Sequence, residues 1–280
     1  MTASIKDFDD RDLRCASATV SHVGNIRKLN EDSFLELPEK GLWVVADGMG
    51  GHAGGDLESL LIVNALSQMQ APESLSAAVD EFEKTMLSVH ERLRALSEEN
   101  QQTMGSTVVA LLVRGSHCVI LWVGDSRLYR LRDGRLEQLT TDHSQVELYI
   151  NQGLIRREDA QTHPAANMIT RAIGASDDLV IDMDMEEIWP YDRFLLCSDG
   201  LDRHLSDSEI AKLMCIGEPE EVAKRLIDTT LARGATDNVT VSVVDILTRN
   251  EMDMRKRVDS RSHNYKFIVD PDPTEPLAAS

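Results

Sequence analysis

Apolar positions along the chain follow two periods, and the changes of period mark the elements. From Leu13 the pattern is strand-like, with a short run of small and β-branched residues over 15–21. Two apolar runs, 34–37 and 42–46, flank Pro38-Glu39-Lys40-Gly41, whose composition predicts a hairpin connection. A glycine-dense loop covers 48–55. The period then lengthens. Residues 56–69 read as a helix with Leu57, Leu60, Leu61, Asn64, Ala65 and Gln68 near one face. Residues 75–98 read as a long amphipathic helix with Val79, Phe82, Met86, Val89, Leu93 and Leu96 at helical spacing. Both stripes are expected to pack on the core.

Strand patterns return at 107–113 and 118–123 around Arg114-Gly115-Ser116, and at 127–131 and 136–139 around Asp133-Gly134. Residues 140–175 are polar and irregular, with a helix predicted near 146–152. A short apolar strand is expected at 194–197. Ser206 with Glu209 forms a capping box that opens a helix to Met214. Pro219 opens another helix to about Arg233, Gly234 ends it, and 239–247 is a last strand. Antiparallel hairpins with helices in pairs argue for an α+β fold rather than a parallel doubly wound sheet. Residues 1–12 read as a polar arm, 13–248 as the folded domain, and 249–280, with Pro271, Pro273 and Pro276, as a tail.

Composition adds a strong acidic bias. The chain has 280 residues, with 29 Lys and Arg against 48 Asp and Glu, a net charge of −19. Such a surface repels nucleic acid and anionic lipid, so neither is expected as a partner. Hydrophobic residues make up 42% but aromatic ones only 4%, so the core must be largely aliphatic. Cys15, Cys118, Cys197 and Cys215 form no C-x-x-C pair, which gives no sign of a zinc or redox site and suits a reducing compartment. The acidic N-terminus is not a secretory signal, and no apolar run is long enough to span a bilayer, so a cytoplasmic location is expected.

The informative carboxylates sit at strand ends. Asp47 follows the run 42–46 and precedes Gly48; Asp125 follows 119–123 and a glycine; Asp199 follows 194–197 and precedes Gly200. Asp237-Asn238 leads into the final strand, and Glu31-Asp32 opens the strand at 33–37. An Asp at a buried strand end is held on a rigid element, and a flanking Gly lets backbone or ligand come close. Several such ends converging would make an oxygen-only site for a hard cation.

The order of these pieces carries a resemblance. Arg27 with Asn30-Glu31-Asp32; Ala46-Asp47-Gly48-Met49-Gly50-Gly51-His52; Gly105-Ser106-Thr107; Val123-Gly124-Asp125-Ser126-Arg127; Thr141-Asp142-His143-Ser144; Cys197-Ser198-Asp199-Gly200-Leu201; and Thr236-Asp237-Asn238 follow one another along residues 15–247. In this order they resemble the bacterial branch of the PPM/PP2C-type protein serine/threonine phosphatases. The resemblance implies a four-layer α-β-β-α sandwich of two antiparallel sheets and a binuclear Mn²⁺ or Mg²⁺ centre. Asp47 would bridge both metals and the Gly48 carbonyl would add a ligand. Asp199 and Asp237 would hold the first metal. Glu31 and Asp32 would serve the second largely through water, and Asp125 a third, weaker ion shared with Asp199. Arg27 would clamp phosphate, since a planar guanidinium grips two oxygens at once. The reaction implied is attack of a metal-activated water on phosphoserine or phosphothreonine, opposing a Ser/Thr kinase, by a monomer.

Met49 stands where better-known eukaryotic relatives have a His thought to protonate the leaving group, and a thioether cannot donate a proton. His52 is no evident substitute. Residues 140–175 correspond to the family's flap beside the cleft, a place where substrate choice is often set. The stretch 41–51 also resembles phosphatases that oppose a threonine kinase in type VI secretion clusters. Two other readings remain open: a binding module with a dead metal site, for which Asp47, Asp199 or Asp237 should be missing, and a phosphoesterase for small molecules.

Overall fold

The computed structural model describes residues 13–49, 55–70, 72 and 74–249. The arm at 1–12, His52, and the tail apart from Arg249 lie outside the described residues. Ten strands form two antiparallel five-stranded sheets. One sheet runs β1 (Leu13–His22), β10 (Val239–Thr248), β9 (Arg193–Cys197), β6 (Arg127–Arg132), β7 (Arg135–Gln138). The other runs β2 (Asp32–Leu37), β3 (Leu42–Asp47), β4 (Val108–Arg114), β5 (His117–Val123), β8 (Asp182–Glu187). First and last strands pair along their whole length, from Leu13 opposite Thr248 to His22 opposite Val239.

Period-2 alternation assigns each strand's side chains to a layer. Trp43, Val45, Val109, Leu111, Phe194 and Val244 fill the space between the sheets. Leu42, Val44, Ala46, Val108, Ala110 and Leu121 face outward onto α1 (Gly55–Ser67) and α2 (Leu75–Asn100). On the far side, Leu195, Cys197, Val241 and Val243 pack under α5 (Asp207–Met214) and α6 (Pro219–Ala232). The expected four layers are therefore present, and their core is mostly aliphatic. The Ser206–Glu209 capping box forms as expected.

Two local expectations change. The buried face of α1 is Glu58, Ser59, Ile62, Val63 and Leu66, while Leu57 and Leu60 are exposed. The helix is rotated from its apparent stripe because it docks on β2 through polar contacts: Ser59 Oγ donates to the Glu31 carbonyl at 2.6 Å and pairs with Ser33 Oγ at 2.9 Å. The second change is β8, which the sequence pattern does not announce. The Pro38–Lys40 connection is a single 3-10 turn closed by Gly41, and α3 (Gln145–Asn151) sits where a helix was expected.

Antiparallel pairing brings the chosen carboxylates to one end of the sandwich. Asp32 begins β2 and Asp47 ends β3, opposite each other in the ladder. Asp199 follows β9, Asp237 precedes β10, and Asp125 lies just past β5.

Candidate metal centre

A cleft of about 260 Å³ is lined by Arg27, Glu31, Asp47, Gly48, Met49, Thr107, Asp125, Asn167, Ile169, Asp199, Arg203 and Asp237. All but one of the expected site residues line it. Asp32 lies behind the wall, 6% exposed.

Each acid is fixed by its backbone. The Asp47 carbonyl accepts from Thr107 N (2.8 Å) and Ser106 Oγ (2.9 Å), and its amide donates to Thr107 Oγ1 (3.2 Å). Asp125 follows Gly124, whose φ of 115° no residue with a Cβ adopts easily. The Gly124 amide and carbonyl are both tied to His143. Asp199 opens the short helix α4 (Asp199–Asp202). A Cβ on Gly200 would lie 1.9 Å from the Asn238 carbonyl, so that glycine lets the Asp199 and Asp237 backbones approach. Asn238 anchors the loop that carries Arg27: its amide group donates to the Val23 and Leu29 carbonyls (both 2.9 Å), and its Oδ1 accepts from Glu31 N at 2.8 Å.

The carboxylates themselves are short of donors. Among the described residues, those of Asp47 and Asp125 accept no hydrogen bond. Asp32 Oδ2 accepts from Ser198 and Thr240 (both 2.7 Å), but its buried Oδ1 has no partner. Burial, then repulsion from Asp32, Asp199, Asp125 and Asp237, raises the pKa of Asp47 well above the usual range. Burial, then Asp199, does the same to Asp125. Burial lifts Asp32 to about 7 and Asp199 to about 6, the latter against the pull of Arg203. Burial also raises Glu31, with Arg27 opposing it.

So many buried, mutually repelling carboxylates need cations or protons. The donors are hard oxygens, the set that suits Mg²⁺ or Mn²⁺ rather than zinc. Asp47, Gly48, Asp199, Asp237, Asp125 and Glu31 fit such ions, and the unpartnered Asp32 Oδ1 points to the same need. Among the described residues no group of three or more Asp, Glu, His or Cys side chains stands in an arrangement that could hold a metal ion without rearrangement. Arginines hold two of the acids instead. Arg27 grips Asp237 with Nη2 and Nε, each at 2.9 Å. Arg203 donates to Asp199 Oδ2 and, at 3.1 Å, to Asp237 Oδ2.

Sequence reasoning missed Arg203, although its i+4 spacing from Asp199 is a signal. It also missed Glu58, which is fully buried with neither carboxylate oxygen hydrogen-bonded among the described residues. Met49 lines the cleft, 39% exposed, and carries no proton donor there.

An α-β-β-α sandwich with a carboxylate-rich cleft at one end of its paired sheets defines the metal-dependent phosphatase class. The chain belongs to the protein phosphatase 2C family, whose profile matches residues 22–247. It is 36% identical over 232 residues to the serine/threonine protein phosphatase PstP of Mycobacterium tuberculosis, a match covering 82% of this chain and 45% of PstP. The chain thus matches about half the length of that curated relative. Among solved structures it resembles PppA, "a key regulatory component of T6SS in Pseudomonas aeruginosa", at 44% identity and a TM-score of 0.79, covering 84% of this chain and 98% of PppA. It also resembles the catalytic domain of PstP in complex with two manganese ions, at 35% identity and a TM-score of 0.75, covering 84% and 99%. No helix among the described residues is long and apolar enough to cross a membrane.

Proposed function

We propose that this chain is a metal-dependent phosphatase that hydrolyses phosphoserine and phosphothreonine in proteins, using Mn²⁺ or Mg²⁺. The observation that carries this reading is the convergence of Asp47, Asp125, Asp199 and Asp237 on one cleft, with two of their carboxylates lacking a donor among the described residues. Family membership and the named phosphatases among its relatives support it. When bound, a metal pair in such a site supplies an activated water and neutralises phosphate charge. Asp47 would serve both ions and the Gly48 carbonyl would add a ligand, Asp199 and Asp237 would hold the first, and Glu31 and Asp32 would serve the second largely through water. Asp125 would hold a third. Arg27, at the rim and 44% exposed, takes the phosphate oxygens.

The partners are phosphorylated proteins and the Ser/Thr kinase that modifies them, in the cytoplasm. The likeness to PppA supports a kinase of a type VI secretion system as the opposing activity. The test is hydrolysis by the purified chain of p-nitrophenyl phosphate, phosphopeptides and a panel of small phosphoesters, with Mn²⁺ and after exhaustive chelation. Mn²⁺-dependent turnover that favours phosphopeptides is expected. Full activity without metal sinks the mechanism, and preference for a small ester sinks the substrate class.

A further inference from the structure

Arg203 caps the C-terminal end of α4, four residues after Asp199. Its terminal nitrogens are divided between two acids: Nη2 donates to Asp199 Oδ2 and Nη1 to Asp237 Oδ2 at 3.1 Å. Asp237 has little capacity left. Its Oδ2 also accepts from Arg27 Nη2, and its Oδ1 meets Arg27 Nε and the Asn238 amide, all at 2.9 Å. Asp199 and Asp237 are the carboxylates assigned above to one metal. A divalent ion drawing on both would compete for the oxygens that Arg203 holds. It would also repel a guanidinium at that range, because close charges in a partly desolvated site are weakly screened.

Arg203 has somewhere to go. Its side chain, 28% exposed, stands between the metal cleft and a second cavity of about 250 Å³. That cavity is lined by Asp125, Arg127, Asp142 and Asp202 together with Val146 and Ala166, and Arg127 already pairs with Asp142 at 2.6 Å and Asp202 at 3.0 Å. Asp125, whose carboxylate accepts no hydrogen bond among the described residues, is left to receive a relocated head group, and the apolar walls suit its stem.

The geometry points to Arg203 as an internal stand-in for the first metal, a positioning residue that bridges Asp199 and Asp237 until a divalent ion displaces it toward the adjoining cavity. This rests on the metal-centre reading. In the metal-free protein the guanidinium offsets the repulsion between two carboxylates held close by the backbone. Metal loading is then an exchange of one cation for another, which weakens apparent affinity for the ion and preserves the fold without it.

Calorimetric titration of Mn²⁺ into chelator-stripped protein tests this, comparing wild type with Arg203→Met and Arg203→Lys. Arg203→Met should bind its first Mn²⁺ about tenfold tighter, a modest figure because the pair is partly solvent-screened. Stripped Arg203→Met should melt below stripped wild type, and the gap should close when both are loaded. Lys keeps the charge but cannot bridge two carboxylates, so Arg203→Lys should fall between. If Arg203→Met fails to fold, Arg203→Lys carries the comparison. In a second readout, the Arg203 side-chain N–H signal, identified by its loss in Arg203→Lys, should shift on titration with Mg²⁺ and saturate with it. Unchanged affinity overturns the inference, and so does an Arg203 signal indifferent to Mg²⁺. Weaker Mn²⁺ binding in Arg203→Met also overturns it, since Arg203 would then be orienting Asp199 for the metal. A wild-type protein that binds no Mn²⁺ removes the metal reading itself, and the inference with it.

Discussion

Asp32 stands opposite Asp47 in the β2–β3 ladder, and among neighbouring charges it does most to raise the Asp47 pKa. Two acids in register at a sheet end is an arrangement a fold without cations would avoid. It has a consequence for stability. Asp32 titrates near 7 and Asp199 near 6 in the folded chain, against about 3.9 for an unfolded Asp. Between those limits the folded state binds more protons than the unfolded state, so these groups make stability fall as pH rises. The metal-free protein should lose stability from pH 5 to 7.5 through this site, and Mn²⁺ should restore it. Asp47→Asn removes a carboxylate that accepts no hydrogen bond among the described residues. It should therefore raise the metal-free melting temperature at pH 7.5 and flatten the pH slope. A variant that melts lower than wild type in EDTA at that pH contradicts the account.

The same substitution should abolish catalysis. Asp47→Asn and Asp199→Asn each remove an oxygen anion from the metal set while leaving the backbone bonds of Thr107 and the α4 turn in place. Turnover should fall by more than the ~10–100-fold typical of changes outside the ligand set. Circular dichroism should report an intact fold in both. Retention of substantial Mn²⁺-dependent activity in either variant would move the metal elsewhere.

Arg27 is held by Asp237 in this structure, through two bonds of 2.9 Å. As a phosphate clamp it must trade that carboxylate for phosphate oxygens. Contacts made alike in ground and transition states act on KM. Arg27→Ala should therefore raise KM roughly 10- to 100-fold, the range for charge-assisted hydrogen bonds, with a smaller fall in kcat. Steady-state kinetics on a phosphopeptide reads this directly. An unchanged kcat/KM would leave Arg27 as a surface partner of Asp237 and Glu31.

Much of this was legible in the sequence, for definite reasons. β3, β4 and β5 are buried on both faces, so their runs are almost continuously apolar and stand out. The acids at their ends are marked by adjacent glycines. β8 could not be seen the same way. Asp182-Met183-Asp184-Met185-Glu186-Glu187 is an edge strand, paired only with β5 and largely exposed, so nothing forces an apolar alternation on it. The orientation of α1 is hidden for another reason: its contact with β2 is made by Ser59, and Glu58 beside it is buried, residues that a hydrophobic pattern places on the outside. Asp237 and Asp199 both line the cleft. What the sequence could not show is that an arginine bridges them, since that depends on how closely Gly200 lets two loops approach.

Asp125 gives the sharpest test. It follows β5, whose buried residues fix the strand's direction, and Gly124, whose backbone only glycine takes up readily. His143 locks that glycine, donating its backbone N–H to the Gly124 carbonyl (2.9 Å) and accepting the Gly124 amide at Nδ1 (3.1 Å). The carboxylate is thus aimed by rigid backbone, yet it accepts no hydrogen bond among the described residues. It lines both the metal cleft and the cavity beside Asp142 and Asp202, with Asp199 the nearest large influence on its charge. Phosphate-ester cleavage needs a proton for the departing serine or threonine oxygen, and Met49 has none to give. On the function proposed above, Asp125 would hold a weakly bound third ion, and water on that ion would supply the proton. Asp125→Ala should keep the fold and the two tighter Mn²⁺ sites in calorimetry. It should lose much more activity on phosphopeptides, whose alkoxide leaving group requires protonation, than on p-nitrophenyl phosphate, whose leaving group needs little. Equal losses on both substrates would exclude the leaving-group role, and loss of a tight Mn²⁺ site would place Asp125 in the main pair.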